Sequence, residues 1–316
     1  MVVLGIESSH DDTSIALVQN HVVLFNYQIS QVSVHEQYGG TIPEIASREH
    51  YHNFYILLEQ ILTHHADQLD TIDYIAYTKE PGLIGALQMG QVFAHALAKA
   101  LNKPLKPINH LDGHIFSVLL RTAAEPVKMI KYPALALVVS GGHTNLYYIE
   151  SPHQRQLIGQ TLDDAAGEVF DKVARTLNMG FPGGTKIDRL FEQRHGTAQL
   201  DAIKFTSPKL QTPLNFSFSG FKTQVINLAR RLPAEQFPLI AVAFQRDVVN
   251  YIVNTVQHAL AKYKVKSLIL SGGVSANNHL RNQLGALSVN VLLPKMDYTT
   301  DNGAMIAAAC IEQTAK

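Results

Sequence analysis

The chain has 316 residues, 46% of them hydrophobic and 16% charged, which is the balance of a folded protein with enough length for two cores. Lysine plus arginine equals aspartate plus glutamate at 26 each, so no global field draws the chain to nucleic acid, and any RNA contact needs a local patch or a partner. A single cysteine, Cys310, excludes an internal disulfide and fits a reducing compartment.

The chain runs straight into Val2-Val3-Leu4-Gly5-Ile6 with no basic region before it, so no signal peptide is expected. Residues 2–6, 13–19 and 22–28 read as three short strands rich in Val, Ile and Leu. Their tight polar connections, Glu7-Ser8-Ser9-His10-Asp11-Asp12 and Asn20-His21, imply an antiparallel meander. Gly39-Gly40-Thr41-Ile42-Pro43 reads as a loop, and apolar spacing predicts a helix over 44–64. A buried strand at 74–77 leads through Pro81-Gly82-Leu83 into an apolar helix at 85–101. That helix carries Gln88, Gln91, His95 and Lys99 and is too polar and too short to span a bilayer, so no membrane association is expected.

The same plan returns later. Strands are predicted at 134–139, 145–149 and 156–158, with the turn Ser140-Gly141-Gly142-His143-Thr144 between the first two. A buried strand at 267–271 meets Gly272-Gly273-Val274-Ser275 and a helix over 276–284. The second copy carries a longer, mostly helical insertion at about 160–262. The matched order of elements predicts an α/β fold of two duplicated domains with a ligand-binding cleft between them, residues 1–130 plus 290–316 forming one lobe and 131–289 the other.

His110 and His114 in Ile108-Asn109-His110-Leu111-Asp112-Gly113-His114 are four residues apart, which on a helix puts both imidazoles on one face, one turn apart. That spacing suits one divalent metal, while the ordinary reading is two histidines hydrogen-bonded to a neighbouring helix. Leu111 occupies the position where a zinc protease needs its glutamate base, which argues against proteolysis. In the tail, Thr300 or Asp301 is expected to cap an apolar helix over 304–311, and Asp301 is alternatively the oxygen ligand that the histidine pair lacks.

Other segments carry chemistry with an ordinary reading beside it. Glu7 to Thr13 offers three carboxylates, which repel one another unless they face a cation or polar ligand. The glycine turns at 140–144 and 271–277 bare backbone N–H groups that can cradle a phosphate or carbonyl oxygen, and no P-loop pattern is present. Asp163 and Asp164 read as an acidic helix start, and Phe181-Pro182-Gly183-Gly184-Thr185 as a turn. Asn215-Phe216-Ser217-Phe218-Ser219-Gly220-Phe221-Lys222 reads either as a nucleic-acid contact or as a buried turn.

Taken in order, Gly5-Ile6-Glu7-Ser8-Ser9, Thr41-Ile42-Pro43-Glu44-Ile45-Ala46-Ser47-Arg48, His110-Leu111-Asp112-Gly113-His114, Ser140-Gly141-Gly142-His143-Thr144, Asp163-Asp164-Ala165-Ala166-Gly167-Glu168, Pro182-Gly183-Gly184, Asn215-Phe216-Ser217-Phe218-Ser219-Gly220, Ser271 to Asn277 and Thr300-Asp301-Asn302 make the chain resemble the TsaD-type tRNA threonylcarbamoyltransferases, a family once taken for sialoglycoprotein endopeptidases. The resemblance implies the actin/sugar-kinase/Hsp70-like (RNase H-like) fold. It implies a cytoplasmic enzyme that transfers threonylcarbamoyl from threonylcarbamoyl-AMP to N6 of the adenosine beside the anticodon, in tRNAs reading codons that begin with A. One divalent metal per subunit, iron(II) or in some members zinc, would sit on His110, His114 and Asp301. The adenylate would lie against Val138, Val139, Ser140, Gly141, Gly142, Asp171, Gly184, Asp188 and Asn277. Asp11 and Asp12 are expected to position substrate or handle a proton. Implied partners are tRNA, a smaller paralogue, an ATPase subunit and a second copy of the chain. His10, Asp12, Glu80 and Asp112 depart from the cysteine, glutamate, glycine and glutamate usual at those positions in the family. The alternatives are a non-catalytic scaffold paralogue, against which the intact histidine pair stands, and a small-molecule kinase of the same fold, which would leave that pair idle.

Overall fold

The computed structural model describes residues 1–38, 40–196 and 202–315. They form two compact units, one of residues 1–129 with 294–316 and the other of residues 130–293. The first contains β1 (Val2–Glu7), β2 (Asp12–Gln19), β3 (Val22–Ser30), α1 (Val32–Glu36), α2 (Pro43–His64), β4 (Tyr74–Glu80), α3 (Ile84–Leu101), β5 (Leu105–Asn109) and α4 (His110–Phe116). The second contains β6 (Ala134–Val139), β7 (Thr144–Ser151), β8 (Gln154–Gln160), α5 (Ala166–Thr176), α6 (Gly183–Arg194), α7 (Ser219–Ala229), α8 (Phe237–Lys262), β9 (Ser267–Ser271), α9 (Asn278–Gly285) and β10 (Asn290–Leu292). The last helix, α10 (Gly303–Thr314), belongs to the first unit.

The duplication holds strand for strand. The first sheet runs β3-β2-β1-β4-β5, and the second runs β8-β7-β6-β9-β10. In each, the first three strands in sequence form an antiparallel meander and the other two add in parallel. Asn20 and His21 both take positive φ, which makes the two-residue turn whose twist suits a hairpin between β2 and β3. The edge strands β5 and β10 escape a reading by periodicity. β5 contains Lys106 and Pro107, and β10 is three residues long.

In the first unit, alternation along β1 divides two faces. Leu4 and Ile6, with Ile15 and Leu17 of β2, pack against Phe54, Leu57 and Ile61 of α2 and Ala94 of α3. Gly5 faces the other way, under the start of α10. A Cβ on Gly303 would lie 2.6 Å from the Gly5 carbonyl oxygen and 2.7 Å from the Ala16 nitrogen, so the helix approaches the sheet backbone to backbone. The Gly303 N–H donates to Ser14 Oγ at 2.8 Å, which pins that end of the helix to β2.

Several local expectations are corrected. The cap of α10 is Asn302, which accepts from Met305 N at 2.9 Å, and neither Thr300 nor Asp301 takes that role. The helix expected at 276–284 is a 3-10 turn, Gly273–Ala276, then an extended Asn277 that caps α9 by accepting from Leu280 N. Asp163 and Asp164 precede α5 rather than starting it. Asp163 accepts from Ser217 and Ser219, and Asp164 pairs with Lys172 and Lys222. Phe216, Phe218 and Phe221 are fully buried in the second core and offer no stacking platform, and from Ser219 the segment is the first turn of α7. Gly183 and Gly184 form the first turn of α6 rather than a loop. No described helix is long and apolar enough to cross a membrane.

The Gly5–Gly303 contact has a measurable consequence. Gly303→Ala is expected to lower stability by about 1–3 kcal/mol through overpacking, read as a lower urea midpoint. Gly220→Ala, where a Cβ meets nothing within 4 Å, is expected not to lower it.

Candidate functional site

The histidine pair lies on α4, whose residues are all buried. Asn109 starts that helix by accepting from Leu111 N at 3.0 Å. One turn separates His110 from His114, and their ring centroids are 4.6 Å apart at an interplanar angle of 78°. Asp301 arrives from the segment just before the cap of α10. Its Oδ1 lies 3.6 Å from His110 Nε2 and 3.2 Å from His114 Nε2. Because Asn302 does the capping, the Asp301 carboxylate is left to face the histidines. One ligand atom from each of the three residues falls within 4.8 Å of the others.

Glu7 is the residue that sequence reasoning left out of the site. It ends β1 on the same face as Gly5, two residues on, and is fully buried. Its Oε2 is 3.2 Å from His110 Nδ1 and accepts from Thr78 Oγ1 at 2.6 Å, while Oε1 accepts from Ser9 N at 2.5 Å. The carboxylate therefore fixes the proton of His110 on Nδ1 and leaves Nε2 toward Asp301. This is the arrangement by which a carboxylate orients a metal-binding histidine. The available signal was strand periodicity, since the face that needs Gly5 under α10 also carries Glu7.

The charges explain why this cluster needs a cation. Burial alone would raise the Glu7 carboxyl, but the neighbouring His110 outweighs it and holds the group below the usual carboxylate range. Asp301 is likewise held low, against burial, by His110 and His114. Burial would depress His110, yet the charges of Asp301 and Glu7 push it up to about 9. The fully buried Glu7 and the partly exposed Asp301 thus call for a positive charge between them, from a proton or from a metal. His114 supplies an independent test. It is fully buried, and among the described residues neither of its ring nitrogens has a hydrogen-bond partner, although Nε2 lies near Asp301. A buried imidazole that makes no hydrogen bond is costly unless something binds it, and Nε2, which faces the Asp301 carboxylate, is the atom a metal would take. The donor set of two neutral imidazoles and a carboxylate fits a divalent transition metal.

Asp112, between the histidines, accepts from Gln313 Nε2 of α10 at 2.9 Å and so ties α4 to that helix. Asp11 accepts a hydrogen bond from His10 Nδ1 at 2.8 Å. Asp12 begins β2, and its Oδ1 is buried without a hydrogen-bond partner among the described residues. Burial, then the Asp301 charge, push the Asp12 carboxyl up to about 7 against hydrogen bonds from Ser30 and Gln28. The two carboxylates sense each other, so Asp12 belongs to the surroundings of the cluster.

The remaining expected site residues lie in the second unit. Val138 and Val139 are fully buried in β6, with Val138 paired to β7 and β9 and Val139 to β7, so they lie beneath the turn rather than open on it. Gly141 and Gly142 are exposed at the β6–β7 turn, and a Cβ built on either would meet nothing within 4 Å. That turn is closed by Ser140, whose N–H donates to the His143 carbonyl at 2.7 Å and whose Oγ accepts from His143 N at 3.1 Å. Gly272, at φ +86°, lets β9 turn there, since a Cβ would crowd the Val139 carbonyl at 2.5 Å. Asp171 accepts from Gly183 N at 2.7 Å and from Gly184 N, at the start of α6. Asp188, Gln245 and Asn277 form one buried chain. Gln245 Nε2 donates to Asp188 at 2.7 Å, Asn277 Nδ2 donates to Gln245 Oε1 at 3.0 Å, and Asn278 N donates to Asp188 at 3.0 Å. Each partner is bonded within the protein, and Asn277 keeps one amide hydrogen for a ligand.

Two matched five-stranded units of this order give the chain the actin/sugar-kinase/Hsp70-like fold, with a His-His-Asp cluster on one unit that could hold a metal. Solved structures carry the fold. Full-length HypF in its phosphate- and nucleotide-bound form superposes with a TM-score of 0.60 at 12% identity, covering 98% of this chain and 55% of that one. The activator of the 2-hydroxyisocaproyl-CoA dehydratase from Clostridium difficile does so at 0.52 and 10%, covering 100% and 98%. The TsaD family model, tRNA N6-adenosine threonylcarbamoyltransferase, matches residues 22–308. Proteins of that name are 53% identical in Mycoplasma mobile, over 97% of this chain and 96% of theirs, and 50% identical in Mycoplasmopsis agalactiae, over 99% and 98%. The chain belongs to the TsaD family.

Two outcomes follow for the site. Glu7→Gln is expected to weaken divalent-metal affinity by about 10–100-fold in a competition titration, because it loosens the orientation of His110. In the metal-free protein, the native state holds the Asp12 proton to higher pH than an unfolded chain does. Its contribution to stability is therefore present below about pH 4 and is lost as pH rises toward about 7. Asp12→Asn is expected to gain stability over wild type across that window and to gain no more above it, as read from urea midpoints at successive pH values.

Proposed function

We propose that this chain transfers the threonylcarbamoyl group of threonylcarbamoyl-AMP to N6 of the adenosine beside the anticodon, in tRNAs that read codons beginning with A. The observation that carries this reading is the convergence of His110, His114 and Asp301, with His114 otherwise unpartnered, in a chain of the TsaD family. When bound by these three residues, a divalent ion supplies Lewis-acid polarisation of the carbamoyl carbonyl, and iron(II) is the proposed ion ahead of zinc(II).

The chain's own residues do the rest. Glu7 keeps His110 in one tautomer with Nε2 presented. The open backbone at Gly141 and Gly142 receives the adenylate, with Ser140, Asp171, Gly184, Asp188 and Asn277 completing its surroundings and Val138 and Val139 supporting the turn from β6. The adenosine N6 attacks the carbamoyl carbon, the bond from that carbon to the AMP phosphate oxygen breaks, and AMP leaves. The proton lost from N6 passes to a carboxylate. Asp12, with its carboxyl near neutrality and one oxygen unpaired, is the proposed acceptor, and Asp11 positions substrate beside it. Neutral net charge suits tRNA binding shared with partner subunits, proposed as a smaller paralogue and an ATPase, in the cytoplasm.

The test is transfer of label from threonylcarbamoyl-AMP to an unmodified tRNA reading an A-starting codon, with partner proteins added. Wild type is expected to transfer, and His114→Ala to fall by more than about 100-fold, beyond what losing a residue that only supports a metal ligand costs. Transfer untouched by the substitution would remove the metal from the reaction. No transfer by wild type would overturn the reading.

A further inference from the structure

The turn between β1 and β2 carries Asp11 and leads into Asp12, and three consecutive carbonyls hold it. Ser9 O accepts from Leu83 N at 2.8 Å, before α3. His10 O lies 3.1 Å from His50 Nε2, on α2. Asp11 O accepts from Gln31 N at 2.9 Å, after β3. Three different elements thus grip three successive peptide groups, and one grip is a side chain. Gln31 is itself braced by His35 at 3.1 Å and by the Ala46 carbonyl at 3.3 Å.

His50 is fully buried, and its bonding fixes its proton. A carbonyl oxygen only accepts, so Nε2 carries the hydrogen. Nδ1, 2.8 Å from Thr13 Oγ1, is then the acceptor and the Thr13 hydroxyl donates. Asn53 Nδ2 donates to the same hydroxyl at 3.1 Å, which leaves Thr13 one direction for its own proton. The ring also lies over Phe54, centroids 6.2 Å apart. No other arrangement of these protons satisfies every group.

We propose that His50 is a positioning residue for the transfer reaction. From α2 it holds the His10 peptide, and with it the places of Asp11 and Asp12, which follow directly in the chain. The neutral ring leaves Nδ1 free to accept from Thr13, and burial, then the charge of His10, favour that form, against the His10 carbonyl bond and the carboxylates of Glu7 and Asp11.

This inference rests on the proposed transferase reading, and its test separates the two. The full chain, loaded with metal, is compared as wild type, His50→Phe and His50→Gln. Phe fills the place beside Phe54 without a donor, and Gln Nε2 can still reach the His10 carbonyl. His50→Phe is expected to speed amide exchange across residues 8–14 and to lower kcat by at least about 10-fold, since small misplacement of catalytic groups is costly. Metal content and KM for threonylcarbamoyl-AMP are expected to stay at wild-type values, and His50→Gln to recover most of kcat. Thr13→Val, which frees the imidazole to flip, is expected to move the same readouts in the same direction should His50→Phe not fold. Unchanged exchange in 8–14, or equal losses of metal, KM and kcat in both His50 variants, would overturn the proposal. If wild type transfers nothing, the functional reading fails and the exchange comparison still decides whether His50 holds the turn.

Discussion

The close approach of Gly303 to Gly5 governs the first unit. Two glycines facing each other let the start of α10 lie on the sheet backbone, and the Ser14 hydroxyl takes the Gly303 N–H there. Everything at the metal cluster inherits that contact. Asp301 stands two residues before Gly303, and Glu7 stands two residues after Gly5 on the same strand face. The histidines of α4 meet the same helix, because Gly113 leaves room for Met305 and Ile306 and Asp112 bonds Gln313. A larger residue at either glycine would move the carboxylate away from the histidines before it touched any ligand itself.

The duplicated units show how one topology serves two chemistries. In the first, the turn after the opening strand carries acids and is gripped carbonyl by carbonyl. In the second, the equivalent turn is Ser140-Gly141-Gly142-His143, which closes on its own serine and presents bare backbone. After the fourth strand of each plan, the first unit supplies Pro81-Gly82, packed over Ser9, and the second supplies Gly272, packed over Val139. The sheets share an order, while the turn residues set what each unit can bind.

How much of this was legible in the sequence depends on the range of each interaction. The histidine pair was legible because four residues make one helical turn, and strand periodicity exposed the meanders. Asp301 was ambiguous because Thr300, Asp301 and Asn302 can all cap a helix, and only the backbone path decides that Asn302 does. Glu7 was hidden because its partner is 103 residues away and it shares its turn with two other acids. Asp163 and Asp164 read as helix-dipole partners, yet their bonds run to Ser217, Ser219 and Lys222 far along the chain. The phenylalanines at 216, 218 and 221 show the same limit, since composition does not distinguish a stacking surface from a core.

The negative charge of the buried Glu7 and the partly exposed Asp301 is proposed to be matched by one metal ion held on His110, His114 and Asp301. The direct measurement is metal stoichiometry of the purified chain by elemental analysis, alongside His114→Ala prepared identically and shown to be folded. One transition-metal ion per chain in the wild type, lost from the variant, is the predicted result. A wild type that takes up no ion when one is offered, or a variant that keeps a full equivalent, would contradict it.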